Sequence, residues 1–175
     1  MSKVLTVLYS YTGTCRQLAR LMCSQQGWPL GEVIETRPRG GAWGFCRGVL
    51  DSWFRRQPPI RYAGPPLESF DAVVLVAPIW AYRLASPMRS FVATHKTQLR
   101  HVAVVSVMGG SGAPNAVAEV GRLTGRPPLA SIAFTTREVV DGSCAARLQS
   151  FGVMVEALED RSDSPRMPAW STQPL

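Results

Sequence analysis

The sequence predicts an α/β protein built on a parallel sheet, with one domain over residues 1–160 and an irregular tail over 161–175. Three observations predict it. Short apolar runs rich in valine recur along the chain, stretches of helical period separate them, and glycine or proline punctuates the junctions. Strands that alternate with helices read as right-handed βαβ crossovers, which lay successive strands parallel in one sheet.

Each element follows from its own pattern. "KVLTVLY" (3–9) is a short apolar strand. In "TCRQLARLMCSQQ" (14–26), Leu18, Leu21 and Met22 fall on one helical face, and Gly27 and Pro29 end the helix. "GEVIET" (31–36) is a weaker strand whose polar positions suit a sheet edge. "FDAVVLVAP" (70–78) and "VAVVSVM" (102–108) are continuous apolar runs, as expected of strands buried on both faces. Between them "SPMRSFVATH" (86–95) opens with Ser-Pro, a good helix start, and places Met88, Phe91 and Val92 on one side. "APNAVAEVGRLTG" (113–125) is helical with Gly125 as its stop. "ASIAFTT" (130–136) is the last strand and "GSCAARLQSFGVMVEALED" (142–160) the last helix. The tail carries three prolines and no period, and packs only where Trp170 finds a groove.

Bulk properties narrow the function classes. At 175 residues the chain can bury a real core, and 46% hydrophobic against 18% charged residues marks it as globular. No apolar run approaches the ~20 residues that span a bilayer, and no signal peptide is apparent. The four cysteines form no CxxC pair, and Cys15 and Cys23 would lie about 12 Å apart on one helix. Reduced thiols in the cytoplasm are the expectation. The net charge is +7, and because Lys3 and Lys96 are the only lysines, 17 of the 19 basic residues are arginine. That charge is either a bias in composition or a docking surface. Without runs of like charge or interleaved aromatics, nucleic acid is not the expected partner.

In a doubly wound sheet, ligands sit beyond the carboxyl ends of the strands, where strand order reverses. Three loops meet there. The first, "SYTGTC" (10–15), offers hydroxyls, a thiol, a glycine and the opening N–H groups of a helix, a natural anion site. It is neither a Walker loop nor a GxGxxG turn. Its alternative reading is a hydroxyl-rich N-cap closed by Thr12 or Thr14. The second loop, "PIWAYR" (78–83), brings Trp80 and Tyr82 to the same edge, to stack on a flat ring or to cap the core. The third, "GGSG" (109–112), allows close backbone approach, or is only a flexible connection.

Ser-x-Thr-Gly after the first strand, "PIW" after the third and "GGSG" after the fourth resemble the flavodoxin-type FMN-binding proteins. The chain is similar in particular to a subgroup with a glycine- and arginine-rich segment after its second strand, here "RPRGGAWGFCRGVLDSWFRRQPPI" (37–60), and "PLASIAFTTREV" (128–139) resembles the family's fifth-strand region. The resemblance spans roughly residues 3–158. It implies a three-layer flavodoxin-like fold with a five-stranded parallel sheet in the order 2-1-3-4-5. It also implies FMN as cofactor, its phosphate held by Ser10, Thr12, Gly13, Thr14 and Cys15. Pro78, Ile79, Trp80, Ala81 and Tyr82 would line one side of the ring system, and Met108, Gly109, Gly110, Ser111 and Gly112 the other edge.

Two departures stand out. A thiol at Cys15 replaces the family's usual hydroxyl and is the weaker donor. The family is commonly acidic, whereas this chain has no Asp or Glu in residues 1–31 or 78–118. Arg16, Arg83 and Arg89 are expected near the flavin edge, where positive charge would stabilise reduced flavin and make the protein less reducing. No acid–base pair is nominated. His95 and His101 follow a helix and precede a strand, away from the ligand edge.

The 37–60 segment has two readings. Phe45, Val49 and Trp53 share a helical stripe that would pack on the core. Alternatively the segment is a lid, with Arg47, Arg55 and Arg56 facing a partner. The expected function is electron transfer by an FMN-bearing redox protein, to a redox partner protein or a small-molecule acceptor. The alternatives are an FMN-dependent NAD(P)H:quinone-type reductase and a flavin-free interaction module on the same fold.

Overall fold

Valine-rich runs at the centre of the chain become the centre of the sheet. The computed structural model describes residues 3–36 and 41–163. Strand β1 (Val4–Leu8) is buried at every position. It lies parallel between β2 (Leu30–Glu35) and β4 (Ala72–Trp80), with Thr6 opposite Leu30 and Leu8 opposite Val76. Beyond β4 come β6 (His101–Met108) and β7 (Ser131–Thr135), both parallel. The parallel core therefore runs β2-β1-β4-β6-β7, which is the expected order of the five strands.

The sheet is larger than five strands, and two short antiparallel additions account for the difference. Strand β3 (Ile60–Ala63) covers the outer edge of β2, with Val33 opposite Tyr62. The polar side of β2 is thus not the sheet's edge, as its sequence suggested. Strand β5 (Arg83–Leu84) folds back on the end of β4, pairing Trp80 with Arg83. Four residues behind two prolines, and two behind a tight turn, are too short to show a strand period.

Helices cover both faces. Along β4, Val74 and Val76 point into one core with Leu18 and Met22 of α1 (Thr14–Gln26) and Phe151 and Val155 of α6 (Ala145–Asp163). Val73 and Leu75 point into the other, against Met88, Phe91 and Val92 of α3 (Ser86–His95) and Val120 of α4 (Ala113–Thr124). This two-sided burial is why the strand reads as a continuous apolar run. Gly27 and Gly125 end α1 and α4 in left-handed conformations, as anticipated. The last helix begins three residues late because a separate one-and-a-half-turn helix, α5 (Thr136–Asp141), precedes it. It also continues to Asp163, beyond the expected domain boundary at residue 160. Trp170 and the rest of the expected tail beyond 163 lie outside the described residues.

The 37–60 segment forms α2 (Gly41–Trp53). Of the expected stripe, Val49 packs on the core, Trp53 does not, and the Phe45 side chain lies outside the described residues. Gly44, Gly48, Asp51 and Ser52 form the buried side, while Trp53 stays 55% exposed and Phe54, just past the helix, 63% exposed. Leu50 is exposed as well, at 54%. The side chains of Trp43, Phe45 and Arg47 lie outside the described residues. Among the described residues, no helix is long and apolar enough to cross a membrane.

Candidate functional site

The carboxyl ends of β1, β4 and β6 open on a cleft of about 240 Å³. Ser10, Thr12, Thr14 and Cys15 line it from the first loop, Pro78, Ile79 and Trp80 from the second, and Met108 and Gly109 from the third. Tyr11, Val107 and Thr136 also line it. They were not anticipated, although Tyr11 lies inside the first loop. Thr136 marks the carboxyl end of β7, a fourth loop at the edge that the topology already identifies.

The first loop is built to leave donors open. Gly13 takes a left-handed conformation (φ 95°) at the N-cap of α1, and no side chain caps the helix. The Ser10 hydroxyl accepts the Gly13 N–H at 3.0 Å, which tightens the turn. The Thr12 and Thr14 hydroxyls lie 3.3 Å from each other instead of closing the helix. Helix α5 shows what a closed start looks like in this chain. There Thr135 and Glu138 form a reciprocal capping box, with Thr135 N–H donating to Glu138 at 2.7 Å and Glu138 N–H donating to the Thr135 hydroxyl at 3.2 Å. Those Thr135 bonds hold the Glu138 carboxyl below its usual range. The N-cap reading of "SYTGTC" is therefore not the one adopted. The first turn of α1 carries no acidic residue either, so its N–H groups and hydroxyls suit an anion.

Cys15 enters this arrangement through its backbone. Its side chain turns into the core with Leu18 and Met22, and burial pushes the thiol pKa up to about 12. A neutral, buried thiol is a poor partner for phosphate and an unreactive one.

Trp80 packs into the core, one of its two anticipated readings. It is only 8% exposed, with Tyr9 and Tyr11 edge-on to its ring at 5.7 and 5.9 Å, yet it lines the cleft. A ring wedged this firmly is a rigid wall.

The chain turns sharply after Trp80. Ala81 and Tyr82 are the two central residues of the β4–β5 hairpin, and both are left-handed, with φ 48° and 61°. Two-residue hairpins of this kind normally place Asn-Gly there. Holding two residues with Cβ atoms in this region costs on the order of 1 kcal/mol each. Asn115 supports the turn by donating to the Tyr82 carbonyl at 3.2 Å. Gly112 sits so close that a Cβ on it would stand 2.7 Å from Tyr82 Cα. Ala81 and Tyr82 line not the first cleft but a second one on the far side of this turn. Gly110 and Ser111 are exposed on the third loop outside the first cleft, and Gly112 is buried against the turn.

The expected belt of arginines is not at this cleft. Arg89 is 2% exposed and paired with Glu119, Arg16 is paired with Glu32, and the Arg83 guanidinium lies 5.8 Å above the Trp53 ring. No charged side chain is among the cleft's described lining residues, so the charge argument for a less reducing flavin loses its basis. His95 packs on Tyr62 and Phe91, and His101 contacts Ser162 at 3.2 Å; neither lines the cleft.

The residues present fit a ligand with a phosphate at one end and a flat apolar body at the other. Open donors lie at the α1 start, Pro78, Ile79, Trp80 and Met108 supply apolar walls, and no described carboxylate faces the cleft. No family model matches the chain, and no curated protein does. Solved structures do. A flavoprotein from Lactobacillus acidophilus NCFM, solved in complex with FMN, aligns over 81% of this chain and 98% of its own, at 20% identity and a TM-score of 0.66. A flavodoxin, WrbA-like protein from Agrobacterium tumefaciens covers 92% of this chain and 99% of its own, at 12% identity and a TM-score of 0.57. A flavodoxin from the domain Archaea covers 90% and 99%, at 16% identity and a TM-score of 0.52. With its parallel β2-β1-β4-β6-β7 core, its helices on both faces and these neighbours, the chain has the flavodoxin-like fold.

Proposed function

We propose that this chain binds FMN in the first cleft and works as a redox protein in electron transfer. The observation that carries the reading is the uncapped start of α1, opening beside the Thr12 and Thr14 hydroxyls into a neutral cleft walled by Trp80. The Thr12 and Thr14 hydroxyls and the N–H groups of the first turn would receive the phosphate, with Gly13 letting the backbone close around it. Pro78, Ile79 and Trp80 would bound one side of the ring system, and Met108 and Gly109 the other. Bound FMN would supply the electron-accepting ring, and the protein its placement and a dry wall. Ala81, Tyr82 and Gly112 would contribute indirectly, through the turn beside the cleft, and Gly110 and Ser111 would lie outside it on the exposed third loop. All four cysteines are unpaired, which supports a cytoplasmic setting.

A redox partner protein is one acceptor that fits. The second reading, an FMN-dependent reductase of a small molecule, is favoured by the additional cleft beside the turn.

The test is a comparison of FMN with riboflavin, which lacks the phosphate, by fluorescence titration. We expect FMN to bind at least tenfold more tightly. Hydrogen bonds to a charged group are worth ~1.5–3 kcal/mol, so Thr12→Ala/Thr14→Ala should weaken FMN at least tenfold and leave riboflavin unchanged. Equal binding of the two flavins by the wild type would remove the phosphate cradle and with it this reading.

A further inference from the structure

Among the described residues, three that are not glycine adopt positive φ: Arg55 at 53°, Ala81 at 48° and Tyr82 at 61°. All three line the second cleft, of about 380 Å³. They come from different places. Ala81 and Tyr82 form the hairpin turn, whereas Arg55 stands just past the end of α2, where its N–H reaches the Ser52 carbonyl at 3.2 Å and that of Arg56 the Asp51 carbonyl at 2.8 Å. Glycine is the usual residue at such a helix end. Strain that persists without glycine clusters at ligand clamps and active sites, and here it converges from two separate elements on one cavity.

The cleft's chemistry is specific. Arg55, Arg83 and Arg122 contribute to its wall, and among the described residues none of the three has an ion-pair partner. Glu119 also lines it, but its carboxylate is taken by buried Arg89. The balance in the cleft is therefore strongly positive. Two aromatic side chains stand at the same wall, Trp53 and the 60% exposed Tyr82, and the Arg83 guanidinium lies over the Trp53 ring. Guanidinium groups bind carboxylates through paired N–H bonds, and exposed aromatic faces bind flat rings. The volume is that of a small-molecule pocket rather than of a flat docking face.

We propose that this second cleft is a binding site for a planar organic acid, an aromatic carboxylate, whose ring contacts Trp53 and Tyr82 and whose carboxylate is held by Arg83 and Arg122 with Arg55. The site goes beyond the flavin reading and does not require it. If FMN occupies the first cleft, the acid lies beyond the Ala81–Tyr82 turn, among residues that do not line the flavin cleft.

The experiment is calorimetric titration of the full chain, before and after incubation with FMN, using naphthalene-2-carboxylate, its neutral carboxamide, and acetate. We expect one site for the carboxylate, with the carboxamide and acetate each bound at least tenfold more weakly. Arg83→Gln/Arg122→Gln should weaken the carboxylate at least tenfold while leaving FMN binding and the melting temperature at wild-type values. Absence of carboxylate binding, equal binding of carboxylate and carboxamide, equal binding of acetate, or an unchanged double variant would each overturn the proposal. Loss of FMN binding with retained carboxylate binding would overturn only the flavin reading.

Discussion

Arg89→Met is expected to destabilise the protein by about 3–5 kcal/mol, the range for leaving a buried charge without its partner. Arg89 is 2% exposed. Its guanidinium pairs with Glu119 and donates to the carbonyls of Leu84, Arg56, Asp51 and Ser52 at 3.0–3.4 Å. One side chain thus joins the end of α2, strand β5, α3 and α4. Nearby, the Ser52 hydroxyl accepts the Ser86 N–H at 3.1 Å and the Ser90 hydroxyl donates to the Pro58 carbonyl at 2.8 Å, so the same corner fixes the start of α3. Against a typical domain stability of ~5–15 kcal/mol this loss is severe. Urea unfolding measures it. Arg89→Met/Glu119→Met should recover part of the loss, because it removes the orphaned carboxylate as well. A single variant within about 1 kcal/mol of wild type would show that the pair is not the hub described.

Gly112→Ala is expected to cost about 2–5 kcal/mol, the sum of backbone strain and overpacking. At φ 113° a side chain is strained in any case, and a Cβ would meet Tyr82 Cα at 2.7 Å, Ile79 Cγ2 at 3.0 Å and Tyr82 C at 3.1 Å. Two of those atoms are backbone and cannot rotate away, so the hairpin turn must move and both clefts with it. Gly13→Ala is the internal control. Its φ is 95°, but nothing lies within 4 Å of a Cβ there, so only the conformational cost of about 1 kcal/mol remains. Urea unfolding of the two variants side by side separates the effects. Equal losses would mean that close approach to Tyr82 plays no part.

The legible parts of this molecule were those whose period is set by burial. The valines of β4 and β6 alternate between two cores, and the continuous apolar run follows directly. The ligand edge was legible because topology alone places it. What the sequence hid depends on long-range closure. Arg89 reads as a positive charge near the flavin edge until Glu119, thirty residues on, closes over it in the core. Trp53 reads as core because the stripe rule rewards bulk, whereas the buried positions of this helix include Gly44, Gly48, Asp51 and Ser52, with Val49 packed partly against the core. The Ala81–Tyr82 turn has no glycine or asparagine to announce it, since tertiary contacts hold it. Helix α5 alone left an unread signal, the Thr-x-x-Glu spacing of Thr135 and Glu138.

Whether the first cleft holds FMN is read from the visible absorption spectrum. The purified protein is incubated with excess FMN, desalted and scanned. Flavin bands that stay with the protein at one equivalent per chain are the predicted result. A colourless protein after desalting would contradict the flavin reading, leaving the flavodoxin-like fold as a scaffold without its flavin.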